Sequence, residues 1–311
     1  MDYPPPLQAE APLLPASDPR EALLEHGYAY LPGLLDREQV LNVRRQLLEC
    51  AAEGQWLAPG SDADEALSGP RAHDERDRAD YLTVYGPVQR REAFHELGQS
   101  PRLLEVLEQV LDEPAFCLPF KIARFAFPGN DLGPTAAHQD YYYVQGSVDT
   151  VTAWIPLGQI TSGEGRLAVL AGSHRLGPLP PIPQPNSGGS GGFWIDTRKL
   201  GLQWHGGDYQ PGDVLLFHSL TVHGAEENLS PRVRLSMDVR FQPIADPIAE
   251  TSMTPHLRAG SWEQIYEGWQ DPALQYYWRD LPLQVVPSDS DTGRLVERSG
   301  SRLLRAHVAV D

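Results

Sequence analysis

In the first third of the chain the apolar positions recur at helical spacing. Glu21 to His26 reads as a short helix stopped by Gly27, and Tyr28 to Leu31 as a brief strand closed by Pro32-Gly33. Asp36 is placed to cap the next helix, where Val40, Val43, Leu47 and Leu48 form one face as far as about Ala52. A further helix is expected from Ser100 to about Leu111. Pro101 lies in its first turn, and Leu103, Leu104, Val106, Leu107, Val110 and Leu111 line its apolar side. These stripes are of the kind that build a core.

From Phe116 the period shifts towards two, with Pro and Gly as punctuation. Strands are expected over Phe116 to Phe127, Ala136 to Val144, Thr150 to Leu157, Leu167 to Leu170, Asp213 to Phe217, Thr221 to His223 and Arg234 to Phe241. Many short strands divided by such turns predict a mainly β protein with flanking helices (α+β), with a jelly roll as one obvious form. The stretch 178–192, rich in Pro, Gly and Ser, suits a mobile loop or lid rather than a buried connection. Trp262, Tyr266 and Trp269 are four and three apart, so a helix over 261–280 would show one aromatic face for docking on the barrel. The expected organisation is an unstructured arm over 1–18, then one domain over 19–311. Its helices fall mainly in 21–112, its barrel core in 116–243 and its aromatic helical extension in 261–280.

Charge narrows the partners. With 42 Asp and Glu against 25 Lys and Arg, the net charge is −17, which argues against nucleic acid and anionic membranes, since both need clustered cations. Cys50 and Cys117 are too few for a disulfide framework and have no metal-site spacing, as expected of buried thiols in a reducing compartment. The first 20 residues lack a cationic segment followed by an apolar one, and no stretch approaches the roughly 18 consecutive apolar residues of a membrane span. A cytoplasmic protein acting on a small molecule is the expectation, and no pattern marks an oligomer interface.

The candidate chemistry lies in His138-Gln139-Asp140. On a strand, residues two apart share a face, so His138 and Asp140 could grip one metal ion, or simply share a proton. Downstream, Pro211-Gly212-Asp213 launches the apolar run Val214 to Phe217, which leads to two histidines, His218 and His223. His223 is the better third ligand because His218 directly follows the apolar strand. Two imidazoles and one carboxylate on one face of an octahedron form the ligand set of non-haem Fe(II) oxygenases. Arg234, Ser236, Asp238 and Arg240 alternate with Leu235, Met237, Val239 and Phe241. Such a polar face is ordinarily solvated. Turned into a barrel, it would let Arg234 clamp a carboxylate through two parallel hydrogen bonds.

Together these spacings resemble the phytanoyl-CoA dioxygenase family of Fe(II)/2-oxoglutarate-dependent oxygenases. The resemblance runs from Gly27-Tyr28-Ala29-Tyr30-Leu31-Pro32-Gly33 to about Pro243 and rests on four segments in order. These are His138-Gln139-Asp140, then Thr152-Ala153-Trp154-Ile155-Pro156-Leu157, then Gly172-Ser173-His174-Arg175, then His223-Gly224 with Asn228 and Arg234. It implies a double-stranded β-helix (cupin-like jelly roll) with His138, Asp140 and His223 as iron ligands. It also implies Arg234 on the distal carboxylate of 2-oxoglutarate, Trp154 beside that cosubstrate, and O2 as the second cosubstrate. Arg232 is a weaker candidate for the clamp, being nearer the turn at Ser230-Pro231. The chain departs from many members at Ala225, where a serine is usual. The implied reaction is hydroxylation of a small metabolite with release of succinate and CO2, and the retained carboxylate at Asp140 fits hydroxylation rather than halogenation. A metal-binding or non-catalytic jelly-roll ligand-binding protein is the alternative.

Overall fold

The structure is a computed structural model that describes residues 5–69, 78–129, 134–183, 192–289 and 300–308. Among the described residues five α-helices fall within 19–111: α1 (Pro19–His26), α2 (Arg37–Glu53), α3 (Arg78–Gln89), α4 (Glu92–Gly98) and α5 (Pro101–Leu111). Their ends follow local chemistry. The Asp36 carboxylate accepts from the Gln39 N–H at the start of α2, and α1 stops at Gly27, which takes the left-handed φ of 81°. Pro101 opens α5 at a position where the missing N–H costs nothing.

The strands are β1 (Ala11–Pro12), β2 (Tyr28–Leu31), β3 (Ala115–Cys117), β4 (Ile122–Ala126), β5 (Val151–Pro156) and β6 (Leu167–Leu170). After them come β7 (Ile182–Pro183), β8 (Phe193–Trp194), β9 (Trp204–Gly206), β10 (Val214–His218), β11 (His223–Ala225) and β12 (Arg234–Pro243). The major sheet runs β2-β10-β5-β12-β3, with β4 also on β12, and the minor sheet runs β1-β9-β6-β11. This is the double-stranded β-helix expected from the sequence, with helices on one side.

The two faces of the major sheet have different partners. Val151, Ala153, Ile155, Val214, Leu216, Leu235, Met237, Val239 and Phe241 pack with the apolar stripes of α2 and α5 in one large core. Each of these side chains larger than Ala153 contributes about 1.5–3 kcal/mol of transfer free energy. The opposite face points into the barrel, where Tyr28, Trp154, Tyr209, Leu215 and Phe217 meet Leu167 and Val169 of the minor sheet. Every residue of β12 is buried, so its polar alternation is not a solvated face: Arg234, Ser236, Asp238 and Arg240 lie inside the protein.

Several expectations change. The run Ala136 to Val144 is not a strand. His138 makes a single bridge, and α6 (Tyr141–Val144) begins directly after Asp140. The run Phe116 to Phe127 divides into β3 and β4, and the strand expected at Thr221 is displaced to His223–Ala225. The arm is structured from about residue 9, since β1 pairs in parallel with β9 and Leu13 joins the barrel interior. The aromatic extension is not a continuous helix. It holds one α-helical turn, α7 (Trp262–Ile265), and one 3-10 turn at Pro272–Leu274, and Tyr266 stacks on Trp262 and lies tilted against Trp269 in a cluster with Phe116, Leu118 and Phe120. Within the 178–192 stretch β7 pairs antiparallel with β8, which begins just beyond it, and 184–191 lie outside the described residues.

Candidate active site

His138 and His223 are partners in an antiparallel bridge, exchanging both backbone hydrogen bonds at 2.9 and 3.0 Å. This holds their rings side by side, with centroids 4.2 Å apart. Each ring is fixed from behind, with His138 Nδ1 2.8 Å from the Ala136 carbonyl and His223 Nδ1 3.0 Å from the Thr221 carbonyl. Carbonyls only accept, so each ring donates from Nδ1 and turns its Nε2 towards Asp140. Burial, reinforced by His138, pushes His223 down to about 3 and keeps it neutral.

Asp140 reaches the same point by a different route from the one expected. Its backbone is already helical, with φ −61° and ψ −29°, and the turn into α6 brings Oδ1 to 3.7 Å from both Nε2 atoms. One donor atom from each residue lies within 4.8 Å of the others. Burial alone would raise the Asp140 carboxyl. The Arg240 guanidinium, with His138 and His223, instead holds it well below the ordinary carboxylate range. Three buried donors of two nitrogens and one oxygen, too far apart to satisfy one another, fit a divalent cation.

His218 does not join them. It ends β10, with Nε2 3.5 Å from Asp149 and Nδ1 accepting from the Leu220 N–H. Ser173 and His174 are structural too: Ser173 accepts from the Val222 N–H, and His174 donates to the Leu24 carbonyl. The Asn228 amide bonds the Ala126 and Arg232 carbonyls.

Arg234 is only 7% exposed. It donates through Nε to the Gly165 carbonyl at 3.1 Å and through Nη1 to Ser236 Oγ at 2.7 Å, and burial, with Arg124 nearby, lowers it to about 10. Among the described residues it makes no ion pair, so a buried cation still lacks its anion. Arg232 is exposed. Trp154 is packed on Tyr209 inside the barrel, and its buried indole N–H has no partner among the described residues.

Three polar residues escaped the sequence reading as parts of a site. Arg240 forks onto Asp140, Thr152 donates to the same carboxylate, and Arg124 donates through Nε to Asp238 at 2.7 Å. Arg240 and Asp238 carried a signal, since they alternate in register with Arg234. Alternation alone does not say which face turns inward.

With this geometry in view, the comparisons with known proteins agree. Residues 23–236 match the family model described as Phytanoyl-CoA dioxygenase (PhyH). The chain belongs to the phytanoyl-CoA dioxygenase family. Membership, together with the buried His-Asp-His group, makes it a non-haem iron, 2-oxoglutarate-dependent oxygenase. It is 33% identical over 260 residues to the 1-deoxypentalenic acid 11-beta-hydroxylase of Streptomyces arenae, covering 78% of this chain and 87% of that one. Among solved structures, EvdO2 from Micromonospora carbonacea var. aurantiaca shares the fold with a TM-score of 0.54 and 22% identity, over 77% of this chain and 95% of that one. The nogalamycin epimerase SnoN, crystallised with Fe3+ and alpha ketoglutarate, shares it with a TM-score of 0.53 and 19% identity, over 74% and 84%. Among the described residues no helix is long and apolar enough to cross a membrane.

Proposed function

We propose that this oxygenase hydroxylates an unactivated C–H bond of a small organic acid, consuming O2 and releasing succinate and CO2. In this reading His138, Asp140 and His223 hold Fe(II), and Arg234 holds 2-oxoglutarate beside Trp154. The observation that carries it is the convergence of three buried donor atoms within 4.8 Å in a barrel that also buries an arginine without an ion-pair partner among the described residues. The substrate class is supported by the hydroxylase relatives, whose named substrate is an acid. It is also supported by Arg124, which stands opposite Ser236 on the inward face and is 34% exposed. The two cysteines, both free and buried, support a cytoplasmic setting.

When bound, iron and 2-oxoglutarate supply the oxidant for C–H cleavage. The chain's own residues do the rest. The two imidazoles are held with Nε2 towards the position the metal would take, because backbone carbonyls occupy the Nδ1 protons. The guanidinium of Arg234 presents a fork to the distal carboxylate, which gives the cosubstrate a single orientation. Phe217, packed against the His223 ring and backed by Leu215 and Trp154 in one apolar cluster, would limit water beside the metal. Tyr143, edge-on to His138 at 5.5 Å and partly exposed, is placed to meet the second substrate.

An anaerobic titration with Fe(II) and 2-oxoglutarate tests this. A weak visible charge-transfer band is expected in the wild type and should be lost in Asp140→Ala. Well-folded wild-type protein that gives no band would overturn the reading.

A further inference from the structure

The Asp140 carboxylate is treated asymmetrically. Its Oδ2 accepts three hydrogen bonds, from Thr152 Oγ1 at 2.6 Å, Arg240 Nη2 at 3.0 Å and Arg240 Nε at 3.1 Å. Its Oδ1 receives only a longer contact from Arg240 Nη2 at 3.2 Å and faces both imidazole Nε2 atoms at 3.7 Å. Two lone pairs are available on each oxygen, so Oδ2 is fully engaged and Oδ1 is not.

We infer that Arg240 and Thr152 are positioning residues that restrict Asp140 to one-oxygen ligation, through Oδ1. The inference rests on the proposed iron-binding role of Asp140 and adds what fixes the mode of binding. The consequence is a count of positions. Three single-atom protein ligands leave half an octahedron for 2-oxoglutarate and oxygen, whereas an aspartate binding through both oxygens would take one of those positions.

The fold keeps this arrangement rigid. Arg240 and Thr152 are directly opposed in the β12–β5 register, so neighbouring backbone bonds fix their separation. The guanidinium lies over the Phe120 ring at 5.5 Å and has Asp238 Oδ2 at 3.6 Å. The side chains of Arg240 and Asp140 are 3% and 2% exposed, so water does not compete. Arg240 Nη1 is buried without a hydrogen-bond partner among the described residues. The fork is therefore placed to serve Asp140 rather than to satisfy its own donors. Groups that orient a metal ligand from behind are worth about 10- to 100-fold in metal affinity or activity.

The test compares wild type, Arg240→Met, Arg240→Lys and Thr152→Val. Its readouts are anaerobic Fe(II) affinity, the near-infrared circular dichroism of bound Fe(II), which reports coordination number, and the thermal midpoint of each metal-free protein. Arg240→Met is expected to weaken Fe(II) by about 10- to 100-fold and to change the near-infrared spectrum. Thr152→Val should move both readouts the same way but less, and Arg240→Lys should restore part of the affinity. A purely structural role would move the thermal midpoint and leave the spectrum of bound Fe(II) unchanged. Folded Arg240→Met and Thr152→Val proteins with wild-type affinity and spectrum would overturn the inference. If Arg240→Met does not fold, the near-isosteric Thr152→Val decides alone. Wild-type protein that fails to bind Fe(II) would instead remove the functional reading on which the inference stands.

Discussion

Arg232 and Arg234 stand two residues apart, yet one is solvated and the other enclosed. Among the described residues the second makes no ion pair, and under the proposed function it would recover its desolvation when the cosubstrate's carboxylate arrives. Arg234→Ala should raise the KM for 2-oxoglutarate about a hundredfold, the scale of losing one partner of a buried charge pair, while Fe(II) binding survives. Arg232→Ala should stay near wild type in the same steady-state assay. Trp154 separates the two roles of an indole. Its N–H has no partner to lose among the described residues, so Trp154→Phe should leave the thermal midpoint within a few degrees. If the N–H serves the bound cosubstrate, the variant should raise the KM for 2-oxoglutarate by about tenfold, as loss of a hydrogen bond to a charged group does. An unchanged KM would assign Trp154 to packing alone.

At the scale of elements, the turn at Ser173–Leu176 ties three parts together, since Gly172 bonds the end of α1, His174 bonds Leu24, and Ser173 bonds the residue before His223. Burial, opposed only in part by its bond to the Leu24 carbonyl, lowers His174 to about 4. The unfolded chain therefore takes up a proton near pH 6.5 that the folded chain refuses. Stability from this group is complete above that pH and is lost as pH falls towards 4, by roughly 3 kcal/mol in all. Urea unfolding between pH 7 and 4.5 should show this slope added to that of the other buried histidines, among them His223 and His256, and His174→Gln should make it shallower by one proton's share. What the sequence disclosed follows the same physics. Helices α2 and α5 and strands β5, β10 and β12 were readable because each repeats one period against one large apolar partner. The His138 to Asp140 segment misled because its ladder is a single bridge that turns straight into a helix, which leaves no period to detect. Over 261–280 the aromatic spacing is helical, but Gly268 at φ 82° and Pro272 break the helix. The role of Arg240 needs the register that sets it opposite Thr152, and no local pattern carries register.

For the molecule as a whole, the barrel is closed partly by its own N-terminal arm. The minor sheet runs β1-β9-β6-β11, so the arm caps one edge while His223 sits on the strand at the other. Leu13 reaches past that edge into the interior cluster with Tyr28 and Trp154, which makes the arm part of the core rather than a tether. Leu13→Ala should cost about 2–4 kcal/mol, the range for truncating a buried leucine, and lower the thermal midpoint by about 5 °C or more. Deleting residues 1–13 should do at least as much. It should also promote self-association in light scattering, because β9 would then present an open edge to other chains. Fe(II) affinity in folded Leu13→Ala should stay at the wild-type value, since Leu13 packs with Tyr28 and Trp154 rather than against the bridge between His138 and His223. A loss of affinity matching the loss of stability would mean instead that the two edges of the minor sheet open as one cooperative unit.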